Sequence, residues 1–332
     1  MKHFDWWLPL KHNVTVLRLA GLWPKNEVYE RNVYTFYAIF VWVILTGSHN
    51  MFLLGTIYFT DNNLESFTQT IVILVTDLLA SFKVYVFISN IKVLKDLMIS
   101  LNTDLFQPKN QNQIDVAWIS LNLWRLTYAV FYTMAAAAVT FWVILPFLDN
   151  SFRTGRLPIL AWYPYNVTIS PFYELAYAHQ CVSSYYFCTA IANIDLMIAA
   201  LMMHVGIQCD ILCDNFKKLQ AFKSTRKSED DFSKSIVSCV EHHRQILSFA
   251  KSSNEFFDKI LLGQFATSTI ATAVSLFEMS LVDPLSGTSL SHLMYVSGII
   301  VQVFLYCWYG NSVEVKVSIF LFGFKEGVVL IL

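Results

Sequence analysis

The sequence predicts an all-α membrane protein, a polytopic bundle of six transmembrane helices, on three observations. Hydrophobic residues make up 55% of the chain, aromatics 16% and charged residues only 14%, where a soluble domain carries about 25% charged residues. The apolar residues fall in long runs, half of them free of charge, each near the roughly 20 residues a helix needs to cross the hydrocarbon core. Lysine and arginine are almost confined to alternate connections between those runs, the asymmetry that orients spans in a bilayer.

Residues 1–10 carry Asp5, two tryptophans and Pro9. They lack the apolar core of a cleavable signal peptide, so targeting falls to the first span. The spans lie at about residues 33–58, 66–90, 127–148, 171–200, 260–282 and 288–310, within a bundle that covers residues 1–313. Twenty lysines and arginines lie in the N-terminal segment, in the connections after spans two and four, and in the tail. On the other side only Arg153 and Arg156 appear. This places the N-terminus in the cytoplasm, with residues 206–259 as a cytoplasmic loop of a multi-pass protein. Residues 101–117, rich in Asn, Gln, Asp and Lys, read as a solvated connection, and residues 217–234, charged in both signs, as a solvated loop. Downstream, Ile236, Cys239, Val240, Ile246, Leu247 and Ala250 recur at helical spacing. Span five is therefore expected to extend back as an amphipathic helix.

Several function classes fall away. A formal net charge of −1 gives no basic face for nucleic acid. No metalloprotease, nucleophile-elbow, phosphate-loop or dinucleotide motif is present, so neither an enzyme nor a cofactor is expected. Cys181, Cys188, Cys209, Cys213, Cys239 and Cys307 are scattered and read as reduced, small apolar residues. Cys209 and Cys213 are four apart, but two ligands do not make a zinc site. His242 and His243 diverge by about 100° on a helix and read as surface residues.

Charges at membrane depth carry more meaning, since each costs about 2.5–3.5 kcal/mol near the bilayer centre. Asp77 and Lys83 are six apart, about 9 Å along the axis and 120° around it, so each should face the bundle rather than the other. Asp195, His204 and Gln208 lie on the inner half of span four or just past it. These five are candidates for a gating or inter-helix network, or for ordinary polar glue between helices. Aromatics crowd the outer halves of three spans: Phe141 and Trp142, then Tyr173, Tyr177, Tyr185 and Tyr186, then His292 and Tyr295. Such side chains can line a pocket for a small apolar ligand or form an interfacial belt or bundle core. Asn166-Val167-Thr168 falls on an outer loop and is a candidate glycosylation site, whereas Asn13-Val14-Thr15 matches the same pattern on the cytoplasmic side.

In its order of motifs the chain resembles the insect odorant receptor family. Leu17-Arg18-Leu19-Ala20-Gly21-Leu22-Trp23-Pro24 is similar to the segment before that family's first span, and Leu157-Pro158 with Trp162-Tyr163-Pro164-Tyr165 to its second outer loop. Ser170-Pro171-Phe172-Tyr173, Gln180, Asp195, His204 and Gln208 resemble its fourth helix, and residues 304–311 the end of its sixth. The resemblance implies a receptor for small volatile organic ligands bound in the outer half of the bundle, with Trp142 the leading contact. It implies assembly with an olfactory co-receptor as a hetero-oligomer, a tetramer, gating a non-selective cation channel in the plasma membrane of a sensory dendrite. The alternatives are a gustatory-type receptor or a small-molecule transport protein; a transporter predicts internal repeats or broken helices, which the sequence lacks. Family members have a seventh helix. Here residues 317–324, then Lys325-Glu326, then six more residues are too short to span. Residues 314–332 are expected to be an atypical tail in place of that helix, leaving the chain without its own pore wall.

Overall fold

The structure, a computed structural model, describes residues 4–27, 29–59, 64–224, 229–283 and 286–331. Its elements are α1 (Leu10–Leu19), α2 (Val33–Val41), α3 (Ser48–Phe59), α4 (Leu64–Ser89), α5 (Ile91–Ser100), α6 (Gln111–Leu148), α7 (Phe172–Ser224), α8 (Glu229–Leu281) and α9 (Gly287–Ile331). No strand occurs among the described residues. A π-helical turn, Trp42–Gly47, joins α2 to α3, so the two form one span over Val33–Phe59. Five further helices contain stretches long and apolar enough to cross a membrane.

The N-terminal segment folds back onto the bundle. α1 buries Leu10, Asn13, Val14 and Leu17, the spacing of one helix face. Its end is a Schellman cap: Leu22 N–H donates to the Leu17 carbonyl at 2.8 Å, and Gly21 takes φ +79°, the left-handed turn that glycine allows. A Cβ at Gly21 would meet the Ala38 backbone at 2.9 Å, so the same glycine lets α1 close on α2. The Lys95 ammonium fixes the next turn, donating to the Pro24 carbonyl at 2.6 Å and lying over the Trp23 ring. Burial, and then the nearby Arg18 charge, pull that ammonium below the usual lysine range.

α7 is the axis of the bundle. Its apolar stretch is 89% buried, against 11% for α6 and 28% for α8. From Ile194 to Leu201 every side chain is buried, the pattern of a helix surrounded by others. Ala190, Ala192, Ala199 and Ala200 keep that helix thin enough for close approach. α8 buries one stripe in the bundle between Cys239 and Ile260: Cys239, His242, Ile246, Phe249, Ser253, Phe256 and Ile260 are all buried, alternating steps of three and four.

Three expectations change here. Residues 101–117 are only partly a solvated connection, with Asn102, Thr103, Asp104, Lys109, Gln111, Asn112 and Asp115 exposed. Leu101, Phe106, Gln113 and Ala117 are buried, because Phe106, on a short 3-10 turn, inserts its ring beside Phe249 and His242. The backward extension of α8 is present, but its face is rotated: Val240 and Leu247 are more than half exposed, while His242 and Phe249 take the inward positions. His242 is thus a buried residue, held by Gln208 Oε1 at 3.1 Å, and not a surface one. The bounds also differ, since α6 begins at Gln111, the described residues of the 206–259 connection are helical, and α9 runs unbroken from Gly287 to Ile331.

Candidate functional site

Small residues on two helices leave a gap in the bundle. α6 contributes Ala135, Ala137 and Ala138 to it, and α9 contributes Ser297 and Gly298; a Cβ at Gly298 would meet nothing within 4 Å. The result is a cavity of about 460 Å³ between α4, α6, α7, α8 and α9, with His49 of α3 also in its wall. That lies within the roughly 300–1,000 Å³ of small-molecule sites.

Its aromatic wall is built from three helices. The Trp142 and Tyr295 rings stack at 6.1 Å with 12° between their planes. The Tyr295 hydroxyl bonds Thr76 Oγ1 at 2.5 Å. The connection between α6 and α7 supplies Pro158 and Ile159, and α7 grips it from below. Gln180 accepts from the Ile159 N–H at 3.0 Å and donates to the Ile159 carbonyl at 2.9 Å. The same strap is tied to α3, where Trp162 N–H donates to Thr56 Oγ1 at 2.7 Å. The Trp162 ring lies so close to α3 that a Cβ at Gly55 would stand 2.7 Å from it.

Two polar stations face the cavity. At one, Lys83 Nζ donates to Asp195 Oδ1 at 2.8 Å, with 1% and 0% of the two side chains exposed. Gln302 and Tyr306 donate to the same carboxylate, and Gln264 bonds Gln302 at 2.9 Å. A fully buried ion pair holds only when further donors satisfy its remaining lone pairs, and here α9 supplies them. At the other station, His49 Nε2 stands 3.5 Å from Asp77 Oδ2.

The residues singled out by sequence are therefore distributed unevenly. Trp142, Tyr295, Asp77, Lys83 and Asp195 come together around one cavity. Asp77 and Lys83 face different helices, Asp77 lying 3.5 Å from His49 of α3 and Lys83 bonded to Asp195 of α7, in keeping with their angular separation. Phe141 and Tyr185 fall outside the lining, each one position from a lining residue and so about 100° away round its helix. Tyr185 bonds Thr140 at 2.7 Å instead. Tyr173 and Tyr177 lie further toward the α6–α7 connection and donate to the carbonyls of Arg156 and Val143. His292 faces Glu278 at 3.5 Å. His204 and Gln208 belong to the opposite end, His204 against the Trp6 ring and Gln208 between Phe106 and His242. Sequence reading missed His49, Gln264, Gln302 and Tyr306. The first three were findable, because a histidine or amide within an apolar run raises the same question of partnership as a charge. Tyr306 looks like any membrane aromatic.

Among the described residues no group of three His, Cys, Asp or Glu side chains converges as a metal site, and the six cysteines are free.

The described residues form a helical bundle with six helices long and apolar enough to cross a membrane, folded around one central helix with a mostly apolar cavity beside it. The 7tm Odorant receptor family pattern matches residues 63–319, and the chain belongs to that family of receptors. It is 25% identical to Odorant receptor Or1 of Anopheles gambiae over 338 residues, 93% of this chain and 78% of that protein. It is 21% identical to Odorant receptor 46a, isoform A, of Drosophila melanogaster over 302 residues, covering 90% and 77%. The fold matches the insect olfactory receptor OR5 of Machilis hrabei, solved in complex with eugenol, at a TM-score of 0.81 and 18% identity over 97% of this chain and 84% of that one.

Proposed function

We propose that this odorant receptor binds a small volatile ligand in the cavity between α4, α6, α7, α8 and α9, and gates a cation channel with an olfactory co-receptor. The observation that carries the reading is the stacked Trp142–Tyr295 pair on the wall of a mostly apolar cavity. Such a wall suits a ligand with few hydrogen-bonding groups, held by ring faces and dispersion. Support also comes from the related receptor solved with eugenol, itself a small aromatic molecule. The cavity shares Lys83, Asp195 and Gln302 with the network that joins α4, α7, α8 and α9. Filling the cavity thus acts on the packing of four helices at once, which is the coupling that gating needs. In this reading the charge-rich connections and the N-terminus face the cytoplasm of a sensory dendrite, and the 149–171 connection faces outward.

Trp142→Ala tests it. Loss of a buried aromatic contact, about 1.5–3 kcal/mol, should weaken odorant affinity by roughly 10- to 100-fold. Membrane insertion and co-receptor capture should be unaffected. Dose–response recording from cells expressing the variant with the co-receptor decides the point. Unchanged curves across a broad odorant panel would remove the cavity from recognition.

A further inference from the structure

We propose that Asp77 sets the chemical preference of this cavity, selecting small volatile alcohols and phenols over ethers and hydrocarbons of the same shape. The inference rests on the cavity being the odorant site.

Asp77 is unlike the other carboxylate in the wall. Asp195 is satisfied three times over, by Lys83, Gln302 and Tyr306. Asp77 has His49 for a neighbour at 3.5 Å, beyond the 2.7–3.2 Å of an ordinary N–H···O bond. Its Oδ2 atom is buried without a hydrogen-bond partner, as is His49 Nδ1. The Asp77 side chain as a whole nevertheless remains 13% exposed, and Asp77 lines the cavity. A buried polar group left without a partner is more expensive than a made bond is favourable, and a carboxyl at membrane depth is the extreme case. Among the described residues none but the distant His49 offers Oδ2 a donor, so the donor comes from what fills the cavity.

The rest of the wall narrows the chemistry. An ether offers no donor and a hydrocarbon offers nothing polar. A hydroxyl both donates and accepts, so it satisfies the carboxyl group whether ionised or protonated. An ammonium would have to give up its hydration shell for a mostly apolar wall, a cost that a neutral hydroxyl does not bear. The parallel faces of Trp142 and Tyr295 favour a flat, unsaturated skeleton. The ligand class is therefore a compact, preferably aromatic molecule bearing one hydroxyl.

The test uses the purified full chain in nanodiscs and three probes: 2-phenylethanol, its methyl ether and propylbenzene. Affinities come from the concentration dependence of the thermal unfolding shift, since a ligand that binds only the folded state raises its stability. The unaltered chain should bind the alcohol at least tenfold more tightly than the other two. Asp77→Asn should keep that order, because its amide oxygen still accepts. Asp77→Leu should narrow the gap to within about twofold; Asp77→Ala, which adds no bulk, replaces it if leucine does not fold. Equal affinities in the unaltered chain, absence of alcohol binding, or a gap that survives Asp77→Leu or Asp77→Ala each overturn the proposal. Trp142→Ala separates the two levels. If it weakens all three probes while the Asp77 substitutions change nothing, only the preference has failed. If it leaves every affinity unchanged, the cavity reading itself has failed.

Discussion

The region around the cavity and the region where α1, α5 and the Phe106 turn pack on α7 and α8 solve the same problem in opposite ways. Both place polar groups deep in an apolar bundle. Around the cavity the packing is open, small residues face each other, and ions are held by other ions or left waiting. At the other end large rings fill the space. Phe106 sits between Phe249 and His242, Trp6 covers His204, and Gln208 is bonded on both sides of its amide. Interiors packed in this second way transmit strain and resist change. A region with room in it can answer a ligand. The difference teaches that one long helix, α7, is a fixed post along one half of its length and a cavity wall along the other.

The sharpest way to break that contrast is to break the ion pair. Asp195→Leu strands the Lys83 ammonium and removes the acceptor of Gln302 and Tyr306, so it should destabilise the chain by about 5 kcal/mol. Lys83→Met leaves Asp195 with two donors and should cost only about 3 kcal/mol. The double variant, with no charge left unpaired, should recover much of the loss. Thermal unfolding of the four proteins in detergent measures all of this. Equal losses from the two single variants would mean that Gln302 and Tyr306 contribute nothing to holding Asp195.

Phe106→Ala tests the packed end. Removing a fully buried ring should cost about 3 kcal/mol, close to the loss from Lys83→Met. Its effect on ligand should differ. The cavity does not include Phe106, so the ligand-induced rise in unfolding temperature should be unchanged in this variant and diminished in Lys83→Met. A reduced ligand response in Phe106→Ala would show that the two halves of α7 are coupled, and the contrast would need redrawing.

Much of the fold was legible in the sequence because a membrane allows few solutions. With no water in the bilayer core, helices must satisfy their own backbone. Six runs of apolar residues therefore correspond to six helices long and apolar enough to span among the described residues. The site was legible where chemistry is costly: Asp77, Lys83 and Asp195 stood out as charges in the wrong solvent, and all three line the cavity. It was illegible where geometry decides. Trp142 and Phe141 are adjacent aromatics of similar size, and only the rotation of α6 tells which one faces inward. His242 was misread for the related reason that an apolar-only pattern gives the inward positions of α8 to Val240 and Leu247. The helix in fact turns a polar ring inward to meet Gln208, a partner 34 residues away along the chain.

The smallest expected effect on stability concerns the two Asn-x-Thr sequons, which lie at opposite ends of the bundle. Asn166 is exposed on the α6–α7 connection. Its side-chain oxygen accepts from the Thr168 N–H at 3.0 Å and from the Thr168 hydroxyl at 2.7 Å, contacts within the sequon that cost little to lose. Asn13 is fully buried in α1. Its amide donates to the Asn193 carbonyl at 3.1 Å, while Asn193 itself accepts from the Tyr128 hydroxyl. A glycan on Asn13 would have to displace that packing. Asn166→Gln should therefore leave the unfolding temperature within the scatter of ordinary surface changes, about ±0.5 kcal/mol. It should also abolish a glycosidase-sensitive mobility shift, since an outward-facing connection meets the glycosylation machinery during insertion. Asn13→Gln should leave that shift intact and lower stability, because it lengthens a side chain in a filled site. A shift that persists in Asn166→Gln and disappears in Asn13→Gln would reverse the proposed orientation. It would put the packed end of the bundle, and not the cavity's strap, on the outer face of the membrane.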